Sequence, residues 1–194
     1  MIPKAAFRHT SGASGIVLLA RHGETADNTA GKILGHRDPP LSEVGLEQAR
    51  ALAASVADAR LVRVWCSPLQ RARETARIVA DATGIGVTVL PDLIESARGS
   101  WEGREVAALQ REDPAAVQAF FDYAPDFAFP GGESLARQRG RTLAALEIVT
   151  ACPLPALIVA HAGTIRAALA AVGLPVGPES SLARGNVCLE LETG

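Results

Sequence analysis

The chain has 194 residues, 48% of them hydrophobic and 21% charged, with a formal net charge of -2. That length suits one globular domain with a sizeable core, and so small a charge gives no reason to expect nucleic acid or an anionic membrane as partner. Cys66, Cys152 and Cys188 lack metal-ligand spacing and fit a reducing, cytoplasmic setting as small buried hydrophobes. No run approaches the roughly 20 apolar residues that span a bilayer. Residues 1–15 hold no apolar stretch long enough for a signal peptide and are read as a flexible tail; 16–194 are read as a single domain.

The first strand is expected over Ile16–Ala20, a continuous apolar run of the kind covered on both faces of a sheet. Arg21-His22-Gly23-Glu24-Thr25 follows it, at the carboxyl end of a strand, where open α/β sheets place ligands. A guanidinium grips phosphate with two hydrogen bonds, a neutral imidazole can attack phosphorus, and glycine lets backbone approach a ligand. Ser42 then suits a helix N-cap, with Leu46, Ala49, Ala53 and Val56 on one face. A second strand runs Leu61–Cys66. Ser67 and Pro68 suit the cap and first position of a helix whose apolar face is Leu69, Ala72, Ala76 and Val79. Arg71 near the start of that helix opposes the dipole unless an anion lies close, and a bound phosphate would be one.

Val87–Leu90 is the third strand, with Glu95 in the loop beyond it. Residues 104–132 interrupt the rhythm. They hold Phe120, Phe121, Phe127 and Phe129, with Tyr123, and are broken by Pro114, Pro125 and Pro130. The favoured reading is a pair of small helices on the sheet edge; the other is a cap over the pocket whose aromatics select the substrate. Ser134 caps a helix through Leu135, Leu143 and Leu146. Ala156–Ala160 is a strand ending at His161, and Thr164 opens a helix with Ile165, Ala168, Leu169 and Val172. Asn186–Leu191 is the last strand. Strand and helix alternate, so the fold class is α/β, with a mainly parallel sheet between helices.

Four segments, in order, carry a resemblance. The first is Arg21 to Thr25 with Asn28, Gly35-His36-Arg37-Asp38-Pro39-Pro40-Leu41 and Gly45-Leu46-Glu47-Gln48-Ala49. The others are Ser67-Pro68-Leu69-Gln70-Arg71-Ala72, then Glu95 before Gly99-Ser100-Trp101-Glu102-Gly103, and His161-Ala162-Gly163-Thr164-Ile165-Arg166. From about Ile16 to Leu191 the chain resembles the histidine phosphatase superfamily, the phosphoglycerate-mutase-like branch 1 group. The resemblance implies a three-layer α/β/α sandwich. It implies a phosphomonoester hydrolase working through a phosphohistidine on a small-molecule phosphate ester, with no cofactor and no metal, as a monomer or homodimer. In that reading His22 is the nucleophile and Glu95 the general acid, while Arg21, Asn28, Arg71 and His161 bind the phosphate. Asp92 and Glu102 are weaker acid candidates. Glu24 and Thr25 brace the loop; His36 and Arg37 line the entrance or belong to a solvated turn.

The chain departs from the family at Ala162, where glycine is usual, and at Ala160, where a hydroxyl residue is frequent. Asp27 stands before Asn28 where family mutases carry tryptophan, and the chain is short. Both features favour hydrolysis over a cofactor-dependent phosphoglycerate mutase. Pro130-Gly131-Gly132-Glu133-Ser134 is similar to α-ribazole phosphatases, but phosphatases of sugar phosphates share it. A non-catalytic phosphate- or partner-binding module is the reading from outside enzymology.

Overall fold

The computed structural model describes residues 4–7, 15–171, 173, 176 and 188–193. One sheet holds β1 (Lys4–Phe7), β2 (Gly15–Arg21), β3 (Arg63–Cys66), β4 (Val87–Val89), β5 (Ala156–Ala160) and β6 (Cys188–Thr193), in the order β1-β6-β2-β5-β3-β4. β2, β5, β3 and β4 run parallel, β6 is antiparallel to β2, and β1 is parallel to β6. The expected mainly parallel sheet is present, with a reversed pair on one side. Lys4–Phe7, expected within the flexible tail, instead pairs with Glu190–Thr193. Single-sequence periodicity is silent about so short a strand, whose only reason to form is a partner far along the chain. The start of the last expected strand, and Val172, lie outside the described residues.

Side-chain alternation explains the layers. Val17 and Leu19 of β2, Trp65 of β3, and Ala156, Ile158 and Ala160 of β5 bury one face. Against it pack Ala145, Leu146 and Val149 of α6 (Leu135–Thr150) and Ile165, Ala168 and Leu169 of α7 (Ala162–Ala171). Leu18, Ala20, Val64, Cys66, Leu157 and Val159 bury the other, against α2 (Glu43–Ser55) and α3 (Gln70–Thr83) through Leu52, Ala53, Ala72, Ala76 and Val79. A strand covered on both faces cannot alternate apolar with polar, which is why β2 and β5 read as unbroken apolar runs. Each fully buried leucine or isoleucine here contributes about 1.5–3 kcal/mol. No helix among the described residues is long and apolar enough to cross a membrane.

Two helix starts follow the expected chemistry: Ser42 Oγ accepts from Gly45 N and Ser134 Oγ from Arg137 N, both at 3.1 Å. The start of α3 does not. Leu69 is its N-cap, and Asp38, reaching from the Gly35–Leu41 loop, accepts from Gln70 N at 2.5 Å. Ser67 is engaged elsewhere. Thr164 sits inside α7 rather than opening it; its hydroxyl reaches Leu93 and Ile94 carbonyls at 3.4 and 3.3 Å.

The aromatic segment forms two short helices, α4 (Val106–Glu112) and α5 (Pro114–Phe121), as favoured. Among the described residues their buried side chains meet helices rather than a strand. Phe120, Tyr123 and Phe129 bury themselves with Trp101, Leu109 and Val117 against Leu135 of α6 and Ala167 of α7. The rings pack mostly edge to face or tilted, at 4.9–6.1 Å between centroids, as their quadrupoles prefer.

Candidate active site

The parallel strands deliver the site by register. Arg21 of β2 pairs with Ala160 of β5, and Cys66 of β3 pairs with Val159. The next residues are therefore neighbours at one end of the sheet: His22, His161 and Ser67. His22 N donates to Ala160 O at 3.0 Å and Ser67 N to Val159 O at 3.1 Å, which extends the ladder one step past the strands. β4, beside β3, leads to Glu95. The small α1 (Ala26–Thr29) follows the first of these loops.

His22 is buried, and its ring contacts that of His161 with centroids 5.1 Å apart. His22 Nδ1 lies 2.7 Å from the Gly23 carbonyl, which only accepts, so the proton is on Nδ1 and the lone pair is on Nε2. Burial, then the charges of Arg21 and Arg71, holds this imidazole well below its ordinary pKa. It is a neutral base with its reactive nitrogen fixed.

Arg71 Nε donates to that Nε2 at 3.2 Å. The rest of its guanidinium is held by the carbonyls of Arg37 and Gly35 at 2.6 and 2.9 Å and by Asp38 Oδ1 at 3.2 Å. The anion that offsets a cation at this helix start is thus Asp38, present without any phosphate. The sequence expectation credited that role to the ligand.

His161 Nε2 lies 2.7 Å from Ser67 Oγ. Leu69 N already donates to that hydroxyl at 3.2 Å. A hydroxyl can accept twice as well as donate, so Ser67 Oγ either donates to Nε2, which puts the ring hydrogen on His161 Nδ1, or accepts from it. That Nδ1 is buried with no partner among the described residues, a polar atom left in a way native proteins rarely leave one. Burial, with Arg71 and His22, holds His161 too well below its ordinary pKa.

Glu95 is buried at 6% exposure. Its Oε1 accepts from Ser96 N at 2.9 Å and Gln138 Nε2 at 2.8 Å; its Oε2 accepts from Gly163 N at 3.1 Å and pairs with Arg98 Nη2 at 3.3 Å. Burial alone would raise its pKa, but Arg98, His161 and the backbone donors outweigh this and drive it far below the carboxylate range. Its charge acts in turn on Arg21, His22, Arg71 and His161, so it belongs to the same cluster.

Other expected residues have structural duties. Asn28 Oδ1 accepts from Thr25 N and Thr25 Oγ1 in a capping box at 3.1 and 3.0 Å, so only its NH2 end remains to donate elsewhere. Glu24 braces the loop: its N–H goes to Gln48 and its carbonyl takes Ser42 N. Gly23 has a structural duty as well. A Cβ there would lie 2.3 Å from Gly45 O, so its smallness lets the loop meet the start of α2. His36 Nε2 donates to the Glu95 carbonyl at 2.8 Å, and Arg37 pairs with Asp27 at 3.2 Å. Glu102 Oε1 takes Arg98 N and His36 N, both at 2.9 Å, and the Asp92 carbonyl takes Arg141 at 2.8 Å. Sequence reasoning missed Ser67 as the partner of His161, and it missed Arg98 and Gln138. Arg98 alone left a signal, as a charge inside the Glu95–Gly103 loop.

This constellation on this sheet is that of a phosphoryl-handling enzyme, and the chain belongs to the histidine phosphatase superfamily (branch 1), whose family model matches residues 17–191. The relatives include a probable phosphoglycerate mutase GpmB of Proteus mirabilis, 37% identical, with 86% of this chain and 79% of that protein aligned. The adenosylcobalamin/alpha-ribazole phosphatase of Salmonella typhimurium is 36% identical over 76% of this chain and 74% of its own length. Among solved structures, a mycobacterial glucosyl-3-phosphoglycerate phosphatase in complex with VO3 superposes with a TM-score of 0.76 at 32% identity, covering 84% of this chain and 82% of that one.

Proposed function

We propose that this protein hydrolyses a small phosphate monoester through a phosphohistidine on His22, without a metal. The observation that carries the reading is the fixed tautomer of His22, with Nδ1–H spent on Gly23 and Nε2 facing Arg71. Arg21 and Arg71 neutralise the phosphoryl oxygens. With its ring hydrogen on Nδ1, His161 gains in a phosphate oxygen the acceptor that hydrogen lacks, and the Asn28 NH2 adds a neutral donor. Positioning and charge are most of what phosphoryl transfer needs.

The bond from phosphorus to His22 Nε2 forms as the ester P–O bond breaks, and the leaving oxygen takes a proton through Glu95. Water then attacks phosphorus, the P–N bond breaks, and Glu95 receives the water's proton. Two arginines supply the positive charge for which other phosphatases recruit a metal ion.

Both α-ribazole phosphate and sugar phosphates suit the reading, since phosphatases of α-ribazole and of glucosyl-3-phosphoglycerate are among the relatives. A phosphoglycerate mutase is the second reading, favoured by the similarity to GpmB. It returns the phosphoryl group to a sugar acid instead of to water. The deciding experiment is steady-state phosphate release, with and without chelator, from nitrophenyl phosphate, α-ribazole phosphate, sugar phosphates and both phosphoglycerates. Turnover abolished by His22→Ala supports the hydrolase; interconversion of phosphoglycerates without phosphate release establishes the mutase.

A further inference from the structure

Arg98 is a cation buried to 5% exposure beside the general acid, and nothing in the phosphate cradle requires it. Its guanidinium carbon stands 4.4 Å from the Phe129 ring centroid and 4.8 Å from that of Phe120. Its Nη2 pairs with Glu95 Oε2 at 3.3 Å, while its Nη1 is buried with no partner among the described residues. Aromatic faces attract a cation without accepting a strong hydrogen bond, so they hold the guanidinium but leave Glu95 as its one anionic partner among the described residues. Gly163 closes the arrangement from α7. A Cβ there would meet Glu95 Oε1 at 2.3 Å and Arg98 Nη2 at 2.7 Å. The aromatic segment thus serves the chemistry indirectly, as the seat of the acid's counter-ion.

With five donors on its two oxygens, Glu95 has no place for a proton unless one bond is given up. We propose that Arg98 is a positioning residue that keeps Glu95 a carboxylate in the ligand-free protein, so that the proton for the leaving group arrives with the substrate. The inference rests on the hydrolase reading. Hydrolysis of an alkyl ester needs one proton on the departing oxygen. The monoanion of a phosphate monoester carries one, with a second ionisation near pH ~6. It passes to Glu95 as the charge of the bound anion raises the carboxylate's affinity for a proton, and from Glu95 to the leaving oxygen as the P–O bond breaks. The groups that face Glu95 are Arg98 in its own loop, Arg21 and His22 beyond β2, Arg71 on α3, His161 and Arg166 from α7, Tyr123 from the aromatic segment, and His36 at its carbonyl. Of these, Arg98 is the one salt-bridged to the carboxylate among the described residues.

The test is a carbon-13 titration of the Glu95 carboxyl, assigned by its loss in Glu95→Gln, in the intact protein and its variants. In Arg98→Met the midpoint rises by at least about one pH unit, the effect expected when a carboxylate loses an adjacent guanidinium. Arg98→Lys, which keeps the charge, stays nearer the parent. An unchanged midpoint in folded Arg98→Met overturns the proposal. If Met does not fold, Arg98→Gln takes its place with the same expected rise.

Phosphate release provides the second readout. In the parent, turnover of an alkyl phosphate falls steeply between pH ~6 and pH ~8 as the substrate monoanion that brings the proton is lost, while nitrophenyl phosphate, whose leaving group needs little protonation, falls far less. An alkyl-phosphate rate that holds steady over that range overturns the proton route. If the parent hydrolyses neither ester, the hydrolase reading fails by itself, and the carboxyl titration still decides whether Arg98 governs Glu95.

Discussion

Gly23→Ala tests whether the glycine beside His22 serves the ligand or the fold. The new Cβ would stand 2.3 Å from Gly45 O, 2.9 Å from Gly45 C and 3.0 Å from Gly45 Cα. Carbon and oxygen rest at about 3.3 Å or more, so one backbone must retreat by about 1 Å. Both are anchored. Gly23 N donates to Thr75 Oγ1 at 3.0 Å, and Ser42, the cap of α2, donates its N–H to Glu24 O at 2.9 Å. Overpacking costs about 1–3 kcal/mol, and each strained hydrogen bond adds up to about 1 kcal/mol. The expected loss is about 2–4 kcal/mol, a fall in Tm of about 5–15 °C for a chain of this size. His22 shares the displaced peptide through its Nδ1 bond to Gly23 O, and a shift of about 1 Å costs on the order of 100-fold in kcat.

Gly45→Ala strains the same contact from the other side, with its Cβ 2.1 Å from Glu24 O, and no proposed phosphate ligand lies on α2. Urea unfolding and nitrophenyl phosphate turnover on both variants, with inorganic phosphate as inhibitor, decide the matter. The two variants lose stability together. A Gly23→Ala protein with parental stability but weakened phosphate inhibition would refute this reasoning and restore the ligand-approach explanation.

Ser67→Ala removes the hydroxyl that holds His161, so kcat on nitrophenyl phosphate falls about 10- to 100-fold with little change in Tm; a kcat within twofold of the parent would show that Ser67 does not position the ring. In Glu95→Gln, alkyl esters lose far more rate than nitrophenyl phosphate, and equal losses would remove Glu95 from leaving-group protonation. Stability also depends on pH through the two buried histidines. Their folded pKa values lie below the ordinary 6.5, so beneath that pH the unfolded chain binds more protons and stability falls, by about 1 kcal/mol per pH unit for each histidine. Urea midpoints measured from pH 7.5 to 5 should be flat above about 6.5 and decline below it; His161→Asn should roughly halve the slope, and a flat profile would mean that these imidazoles are not held neutral.

The clustering of the proposed phosphate ligands was legible in the sequence because its parts are local. Each of His22 and His161 stands directly after an apolar strand run, and a strand's end is visible in one dimension. The register that sets their rings 5.1 Å apart is not, but a parallel sheet with its ligands at the carboxyl ends supplies it as a rule. What escaped was pairing across the chain. Ser67 looked like a helix cap because serine before proline ordinarily is one, and only β3 beside β5 turns its hydroxyl toward His161. Asp38 caps α3 from 32 residues away, which no local pattern foretells. The aromatic segment was recognised as unusual, but its packing on α7 and around Arg98 depends on where the two short helices fall. β1 was invisible for the same reason: its order comes entirely from β6.

The placement of β6 has a consequence for how the protein is made. β2, which carries Arg21 and leads to His22, is synthesised before both of its neighbours, Ala156–Ala160 and Cys188–Thr193. Until both have left the ribosome, β2 lacks a strand on at least one side, and a nascent chain halted before residue 188 exposes its edge. Domains complete their folding as units once their distant strands are available. His22 therefore reaches its folded surroundings only after residues 188–193 have been made. Ribosome-bound chains stalled before and after residues 188–193 should differ sharply in protease resistance across β2.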